Sequence, residues 1–374
     1  QATVRRFVEE ECLPVEREMQ NIDPDWVELP HEIHERLANK LKSIGLWALS
    51  VPRELGGGGI NTLGMVLVRE EQSKTVVGTA HHNPFGGDPP GILYLCTPEQ
   101  KERYLMPVIR GEKRSAMANT EPDAGSDAAA IRTTAVRDGD NWVINGTKRF
   151  STLADRADFA FVTAVTDKEK RGRGGITMFI VDKGTPGFTI TRILPVIRPQ
   201  YSTEIVFDNC VVPSSQILGE VGGGFGIAQQ WMVAGRMMMA SSCVGRAERA
   251  LKMSIDYSKQ RVTFGQLLAQ RQAIQWMLVD SAIDIKATRL MCLEGAWKAD
   301  QGGYDLRNDA AMVKLFATEM AYRVLDRAIQ IHGGIGLSKD LILERWFREL
   351  RVMRIVEGAS EIQRFVIARN LLRD

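Results

Sequence analysis

The hydrophobic period predicts an α+β protein in three consecutive parts: an N-terminal helical domain (1–115), a middle β-barrel or sandwich domain (116–218) and a C-terminal four-helix bundle (219–374). Three observations carry this. Apolar residues recur at helical spacing up to about residue 115, at alternate positions over the next hundred residues, and then at helical spacing again in long segments with short connections.

In the first part, Val4, Phe7, Val8 and Leu13 form one amphipathic face. Ile33, Leu37, Leu41 and Ile44 form a second, within 31–49. The run Gly56-Gly57-Gly58-Gly59 is loop, and 62–74 and 98–109 are further helices, with Pro98 at a helix start. In the middle part, 131–136 and 142–145 flank Asp138-Gly139-Asp140-Asn141, a hairpin turn. Segments 159–165, 176–181, 188–193 and 203–207 are rich in β-branched and aromatic residues and read as strands. Gly222-Gly223-Gly224 marks the return to helix at 226–259, 267–301, 309–331 and 342–349, whose short connections favour antiparallel neighbours in a bundle.

Composition narrows the function. A net charge of +2 gives no field for nucleic acid or an anionic membrane. The basic run 168–173 precedes two glycines and reads as a solvated hairpin loop. The five cysteines form no CxxC pair and the five histidines no metal spacing, so no metal site is expected and reduced thiols fit a cytoplasmic or matrix compartment. No apolar run of about 18 residues occurs, so no membrane insertion is expected. The helical pattern is already running at Gln1, which points to a natural N-terminus upstream and leaves room for a removed targeting peptide.

Several segments carry groups suited to chemistry. In Met117-Ala118-Asn119-Thr120-Glu121-Pro122-Asp123-Ala124-Gly125-Ser126-Asp127, Pro122 and Gly125 let the backbone turn and approach a ligand, while Thr120 and Ser126 offer hydroxyls. Such a loop suits the polar edge of a flat ring or an anionic oxygen; an ordinary polar turn is the bland alternative. Arg261, in Arg261-Val262-Thr263-Phe264-Gly265-Gln266, has a planar fork that matches two phosphate oxygens, or it is a surface arginine at a helix end. In Ile355-Val356-Glu357-Gly358-Ala359-Ser360-Glu361-Ile362-Gln363-Arg364, Glu357 sits where an apolar run meets a polar one. Desolvation there would raise its pKa and sharpen it as a base; pairing with Arg351 or Arg354 is the alternative. The triple Met237-Met238-Met239 covers more than one helix face, so core packing claims most of it.

These three segments, in this order, resemble the acyl-CoA dehydrogenase family, and the likeness extends over essentially the whole chain. The resemblance implies a FAD-dependent oxidoreductase acting on a CH–CH bond of an acyl-CoA, with electrons passed to an electron-transfer flavoprotein. It gives Met117, Thr120, Gly125 and Ser126 to the isoalloxazine and the start of the acyl chain. It also gives Phe150, where the family usually has tryptophan, and Thr152 to the flavin face; plain core packing is the alternative for Phe150. Arg261, Thr263, Phe264 and Gln272 are implied at the pyrophosphate and adenine of a neighbouring subunit's FAD. Gln330, Gly333 and Gly334 are implied near the adenosine, so a homodimer or homotetramer is expected. Glu357 aligns with the family's base, whose own backbone N–H and the flavin ribityl hydroxyl meet the carbonyl oxygen. Some relatives carry the base just before an arginine on the first C-terminal helix; that place is Gly235, before Arg236, and Gly235 cannot be a base. Arg236, Val356, Gly358 and Ser126 are implied at the substrate, Ala359 and Glu361 at FAD. Val356 and Ala359 depart from the usual aromatic and threonine and suggest a non-standard acyl group, and His81-His82-Asn83 lies where the family's acyl pocket floor forms, with a plain surface loop as the equal alternative. Two rivals share the fold: a flavin monooxygenase or oxidase, and a non-catalytic subunit of a hetero-oligomer.

Overall fold

Helices lead the chain. In the computed structural model, which describes residues 1–79, 83–198 and 201–373, α1 (Ala2–Phe7) and α2 (Leu13–Ile22) run on through a π-helical turn at Val8–Cys12. Val4, Phe7, Val8 and Val15 are buried, as the amphipathic pattern requires. Helix α3 (His31–Ser43) buries Leu37 and Leu41, and α4 (Thr62–Gln72) is capped by Asn61, whose side chain accepts from Gly64 N. Then α5 (Pro98–Gln100) and α6 (Met106–Arg110) bracket a second π-helical turn; Thr97 caps them in a capping box with Gln100.

The middle strands are β1 (Ser115–Ala118), β2 (Thr134–Asp138), β3 (Asn141–Thr152), β4 (Phe159–Val165), β5 (Ile176–Asp182), β6 (Phe188–Pro195) and β7 (Tyr201–Pro213). They form one mixed sheet in the order β1-β4-β2-β3-β7-β6, with β5 on β4. β1 pairs with β4 in parallel; the β2–β3 hairpin turns at Gly139, as expected. Phe161, Val162, Phe179, Ile205 and Phe207 are buried in the core of this sheet.

Next come α7 (Gly224–Ser258), a small hairpin of β8 (Val262–Thr263) and β9 (Gln266–Leu267), α8 (Gln272–Gln301), α9 (Leu306–His332), α10 (Ile342–Met353) and α11 (Ser360–Leu371). Helix α9 packs against α8, α10 and α11. Three details differ from the sequence expectation: α3 stops at Ser43, so Ile44 lies beyond it and is exposed, and two more differences lie in the C-terminal part. Residues 267–271 belong to the hairpin and a 3-10 turn rather than to the long helix, because Phe264 and Gly265 both take positive φ and turn the chain back. A separate α11 follows the Glu357 turn.

The chain packs as two compact units: Gln1–Gly86, Ile197–Pro199 and Val233–Asp374 form the first, Gly87–Val196 and Gln200–Met232 the second. Helix 98–110 thus goes with the sheet. The Tyr104 hydroxyl and Gln216 Nε2 both donate to Asp182, and Gln100 donates to the carbonyls of Ser215 and Ile217. His81 and His82 lie outside the described residues.

Candidate active site

In the first unit, α10 ends at Met353 and the chain turns through Glu357 and Gly358 before α11 begins. Both residues have positive φ, +57° and +89°. A non-glycine residue there costs on the order of 1 kcal/mol and persists only where its surroundings hold it. Here they do. Arg236 Nε donates to the Glu357 carbonyl at 3.0 Å, Gln363 Nε2 to the Glu357 and Gly358 carbonyls at 3.2 and 2.7 Å, and Lys314 Nζ to the Gly358 carbonyl at 2.8 Å. At φ +89° a side chain at 358 would be strained, and its Cβ would stand 2.6 Å from Gln363 Nε2 and displace that donor, so glycine suits the turn.

These bonds leave the Glu357 side chain free. Among the described residues it makes no ion pair; Arg354, one of its possible partners, is held by Glu319 at 2.9 Å. Burial pushes the Glu357 carboxyl above its ordinary pKa, against the pull of Arg236 and Lys314. Burial also draws Lys314 down to about 8. The carboxylate faces Gly235 on α7: a Cβ there would meet Glu357 Oε2 at 3.4 Å. The empty position and the filled one therefore adjoin in space. The Glu357 N–H, just beyond the helix, has no acceptor among the described residues. Val356 is exposed beside it, Ala359 caps α11 and Glu361 is exposed on its first turn.

Sequence reasoning missed Lys314 and Gln363. Lys314 is fully buried on α9, 43 residues upstream of Glu357, and its signal was a lysine inside the apolar stripe of a helix. Gln363 lies one turn into α11, also fully buried. Of the methionine triple, Met237 is in the core against Gly295, Met238 packs onto that core, and Met239 follows one turn after Gly235.

In the second unit, Met117 leaves β1 on the face opposite buried Ala116 and Ala118. The loop after it is fixed by Glu121, which accepts from Arg132 N at 2.6 Å and Thr133 N at 2.9 Å and pairs with buried Lys148 at 2.8 Å. Burial opposes its charge, but Lys148 holds Glu121 below the usual carboxylate range. Lys148 also donates to the Asn119 carbonyl, and Arg149 N donates to Thr120 O. This leaves Gly125 and Ser126 exposed, with nothing within 4 Å of a Cβ on Gly125. Thr120 and Thr152 are half-buried. Phe150 sits at a register shift of β3 against β7, with φ +60° and 55% exposure, so it is not core packing. The second unit thus presents an open loop, hydroxyls and an uncovered aromatic face, which fits a flat polar cofactor.

Back in the first unit, Arg261 is exposed at the base of the β8–β9 hairpin, and Phe264 at its tip is 97% exposed. Arg271 holds the hairpin by donating to Thr263 Oγ1 at 3.3 Å. Gln272 opens α8; Gln330, Gly333 and Gly334 are exposed around the end of α9.

Residues 1–112, 116–210 and 222–372 match the family models for the N-terminal, middle and C-terminal domains of acyl-CoA dehydrogenase. The chain is 43% identical to (R)-benzylsuccinyl-CoA dehydrogenase of Thauera aromatica, over 99% of this chain and 94% of that one. It is similar to the solved structure of butyryl-CoA dehydrogenase from Megasphaera elsdenii: TM-score 0.87, 33% identity, 99% of this chain and 96% of the other. It is equally similar to a chain solved in work on the electron transferring flavoprotein of Acidaminococcus fermentans and flavin-based electron bifurcation: TM-score 0.87, 34% identity, 99% and 96% covered. The chain, with its helical N-terminal part, middle sheet and helical C-terminal part, belongs to the acyl-CoA dehydrogenase family of oxidoreductases acting on CH–CH bonds.

Proposed function

We propose that this chain removes hydrogen across the α,β bond of an acyl-CoA thioester to give a 2-enoyl-CoA, with Glu357 as the base. One observation carries the reading: a carboxylate without an ion pair, raised in pKa by burial, held on a strained turn by three donors to its backbone. Bound at the carboxylate, the substrate's α-carbon gives up its proton to Glu357 while hydride leaves the β-carbon. The charge that gathers on the thioester oxygen needs donors, and the unoccupied Glu357 N–H is the one this chain supplies. Arg236 and Lys314 pull the carboxylate toward its ionised form against burial, and both donate to the backbone of its turn.

FAD is the cofactor this reading requires; when bound it accepts the hydride. Met117, Thr120, Gly125, Ser126, Phe150 and Thr152 would hold the isoalloxazine, and Ala359 and Glu361 would lie toward the ribityl and adenosine parts. Arg261, Thr263, Phe264, Gln272, Gln330, Gly333 and Gly334 would hold the pyrophosphate and adenosine of a neighbouring copy. An almost fully exposed phenylalanine at a hairpin tip supports that. So does α8, where Trp276, Ile283, Leu290 and Trp297 are exposed at seven-residue spacing, a stripe suited to a second helix. A homodimer or homotetramer follows, and an electron-transfer flavoprotein is the proposed acceptor. Five free, buried cysteines fit a reducing compartment such as the cytoplasm. Among the described residues no helix is long and apolar enough to cross a membrane.

The test is an anaerobic titration of the purified flavoprotein with a panel of acyl-CoAs. Bleaching of the flavin band by one of them supports the reading. A band that no thioester bleaches, or rapid oxygen consumption on reduction, favours the oxidase or monooxygenase. Purification without flavin favours the non-catalytic subunit.

A further inference from the structure

Helices α4 and α7 cross so closely that a Cβ on Gly245 would stand 2.0 Å from the Glu70 carbonyl, and Ser241 Oγ donates to the Val66 carbonyl. Beside that crossing, one residue along each helix, stand Arg69 and Arg246. Arg246 is only 3% exposed. Its Nη2 pairs with Glu349 at 3.2 Å and its Nη1 reaches Met353 Sδ, but its Nε is buried without a partner. Arg69 has no ion pair among the described residues; its Nη1 only grazes Gln72 Oε1 and the Gly78 carbonyl at 3.5 Å, and its Nε too is buried and unpartnered. Arg198 repeats the pattern at its Nε.

The nearby carboxylates do not balance this charge. Glu349 is shared between Arg246 and Arg345. Glu70 is held by Arg289, Glu71 by Arg5 and Lys74, and Glu248 by Lys74 and Arg289. Burial and the charge of Arg246 draw Arg69 down to about 10, and burial lowers Arg198 as well. Arg69 and Arg198 are half-buried, each with a buried Nε that lacks a partner; such groups are costly to leave unpaired, and an arginine fork is shaped for a carboxylate.

The cluster also lies in line with the base. Gly235, which faces the Glu357 carboxylate, and Arg246 are 11 residues apart on α7, about three turns, so they share a face about 16 Å apart along the axis. Helical side chains lean toward the N-terminus, which brings the Arg246 guanidinium back toward Glu357 and leaves a gap on the order of 10 Å. Met239 and Ser242 lie on that face between them, and Ser242 Oγ is buried without a partner.

We propose that Arg69 and Arg246, with Arg198 behind them, close the far end of the acyl site and take a second carboxylate carried by the acyl group, so that the substrate is a carboxyacyl-CoA. This rests on the dehydrogenase reading above and names its substrate class.

The experiment uses the holoenzyme, with anaerobic flavin bleaching by thioesters matched in length: hexanoyl-CoA against adipyl-CoA, octanoyl-CoA against suberyl-CoA. The carboxylated member of a pair should be favoured about 100-fold, the scale of one buried charge pair, and Arg69→Met should lose most of that preference. Without substrate, Arg69→Met should melt at or above the parent's temperature, because it removes a half-buried charge with an unpartnered Nε and breaks no ion pair among the described residues. Equal or better bleaching by the plain thioesters overturns the carboxylate site and leaves the dehydrogenase reading standing. An unchanged preference in Arg69→Met with a lower melting temperature marks the arginine as structural and overturns it too. If no thioester of either kind bleaches the flavin, both readings fall together.

Discussion

Arg236 Nε donates to the backbone carbonyl of Glu357 at 3.0 Å, from the helix position that directly follows the glycine facing the Glu357 carboxylate. One residue of α7 makes room for the base and the next fixes its turn. The guanidinium also lowers the carboxylate's pKa against burial, so a single side chain sets both the position and the ionisation of the group.

Glu357→Gln should keep FAD and lose turnover by several orders of magnitude, because the proposed reading gives the proton to the Glu357 carboxylate and the alternative position on α7 is Gly235. It should also melt higher than the parent at neutral pH. A carboxylate whose folded pKa is raised costs stability above its unfolded value near 4.5, and the amide removes that cost. The gain should vanish as pH falls below that value. Turnover within tenfold of the parent would remove Glu357 from the reaction.

The same shift predicts the pH profile. Only ionised Glu357 accepts a proton, so kcat/KM should climb with pH through an apparent pKa above the ordinary carboxylate value. Lys314 pulls that value down; Lys314→Met should move the acid limb to higher pH while Gln363 still holds the Gly358 carbonyl. A limb that stays where it was would show that Lys314 is only a structural donor.

Much of this was legible in the sequence, and what was not has a physical cause. Alternation located the β2–β3 hairpin with its Asp138–Asn141 turn, while β4 and β5, buried on both faces, were legible by their β-branched and aromatic content. The helix start at 267 failed because helical periodicity cannot see a two-residue turn in which both Phe264 and Gly265 take positive φ. Glu357 stood out by local contrast between an apolar and a polar run. Lys314 and Gln363 did not, since their partners are backbone carbonyls 44 and 5 or 6 residues away and a carbonyl leaves no trace in sequence. The arginine cluster was equally hidden: Arg69 and Arg246 become neighbours only through the Gly245 crossing.

Lys148→Met should damage the loop that follows β1. It strips Glu121 of its buried partner while that carboxylate still accepts from Arg132 N and Thr133 N. Breaking one side of a buried pair costs about 3–5 kcal/mol. A clear fall in melting temperature and poorer FAD retention are expected, with part of the stability restored by adding Glu121→Gln. An unchanged melting curve would show that the pair is dispensable.

Arg261→Ala should release FAD on dilution or gel filtration, and Phe264→Ala should weaken subunit association, both without loss of helix content by circular dichroism. Phe264 is 97% exposed, with the Arg271 guanidinium 5.6 Å from its ring centre, so truncating it removes little from the folded subunit. Full flavin content and an unaltered oligomer in both variants would put the FAD pyrophosphate elsewhere. Phe150→Trp, by contrast, should fold and keep its flavin, because the ring is exposed.

The adjacency of Gly235 and Glu357 allows the base to be moved. Glu357→Gly suits a position at φ +57°, where glycine is unstrained, and should be inactive. Adding Gly235→Glu starts a new side chain 3.4 Å from where Glu357 Oε2 stood, so its carboxylate lies near the vacated place but not in it. The double variant should recover turnover well above Glu357→Gly, yet below the parent, with an altered preference for acyl shape. Gly235→Glu alone crowds two carboxylates, which then share a proton, so its acid limb should move to higher pH. A double variant as inactive as Glu357→Gly, in a protein that still binds FAD, would mean that the space beside Gly235 does not hold the substrate's α-carbon.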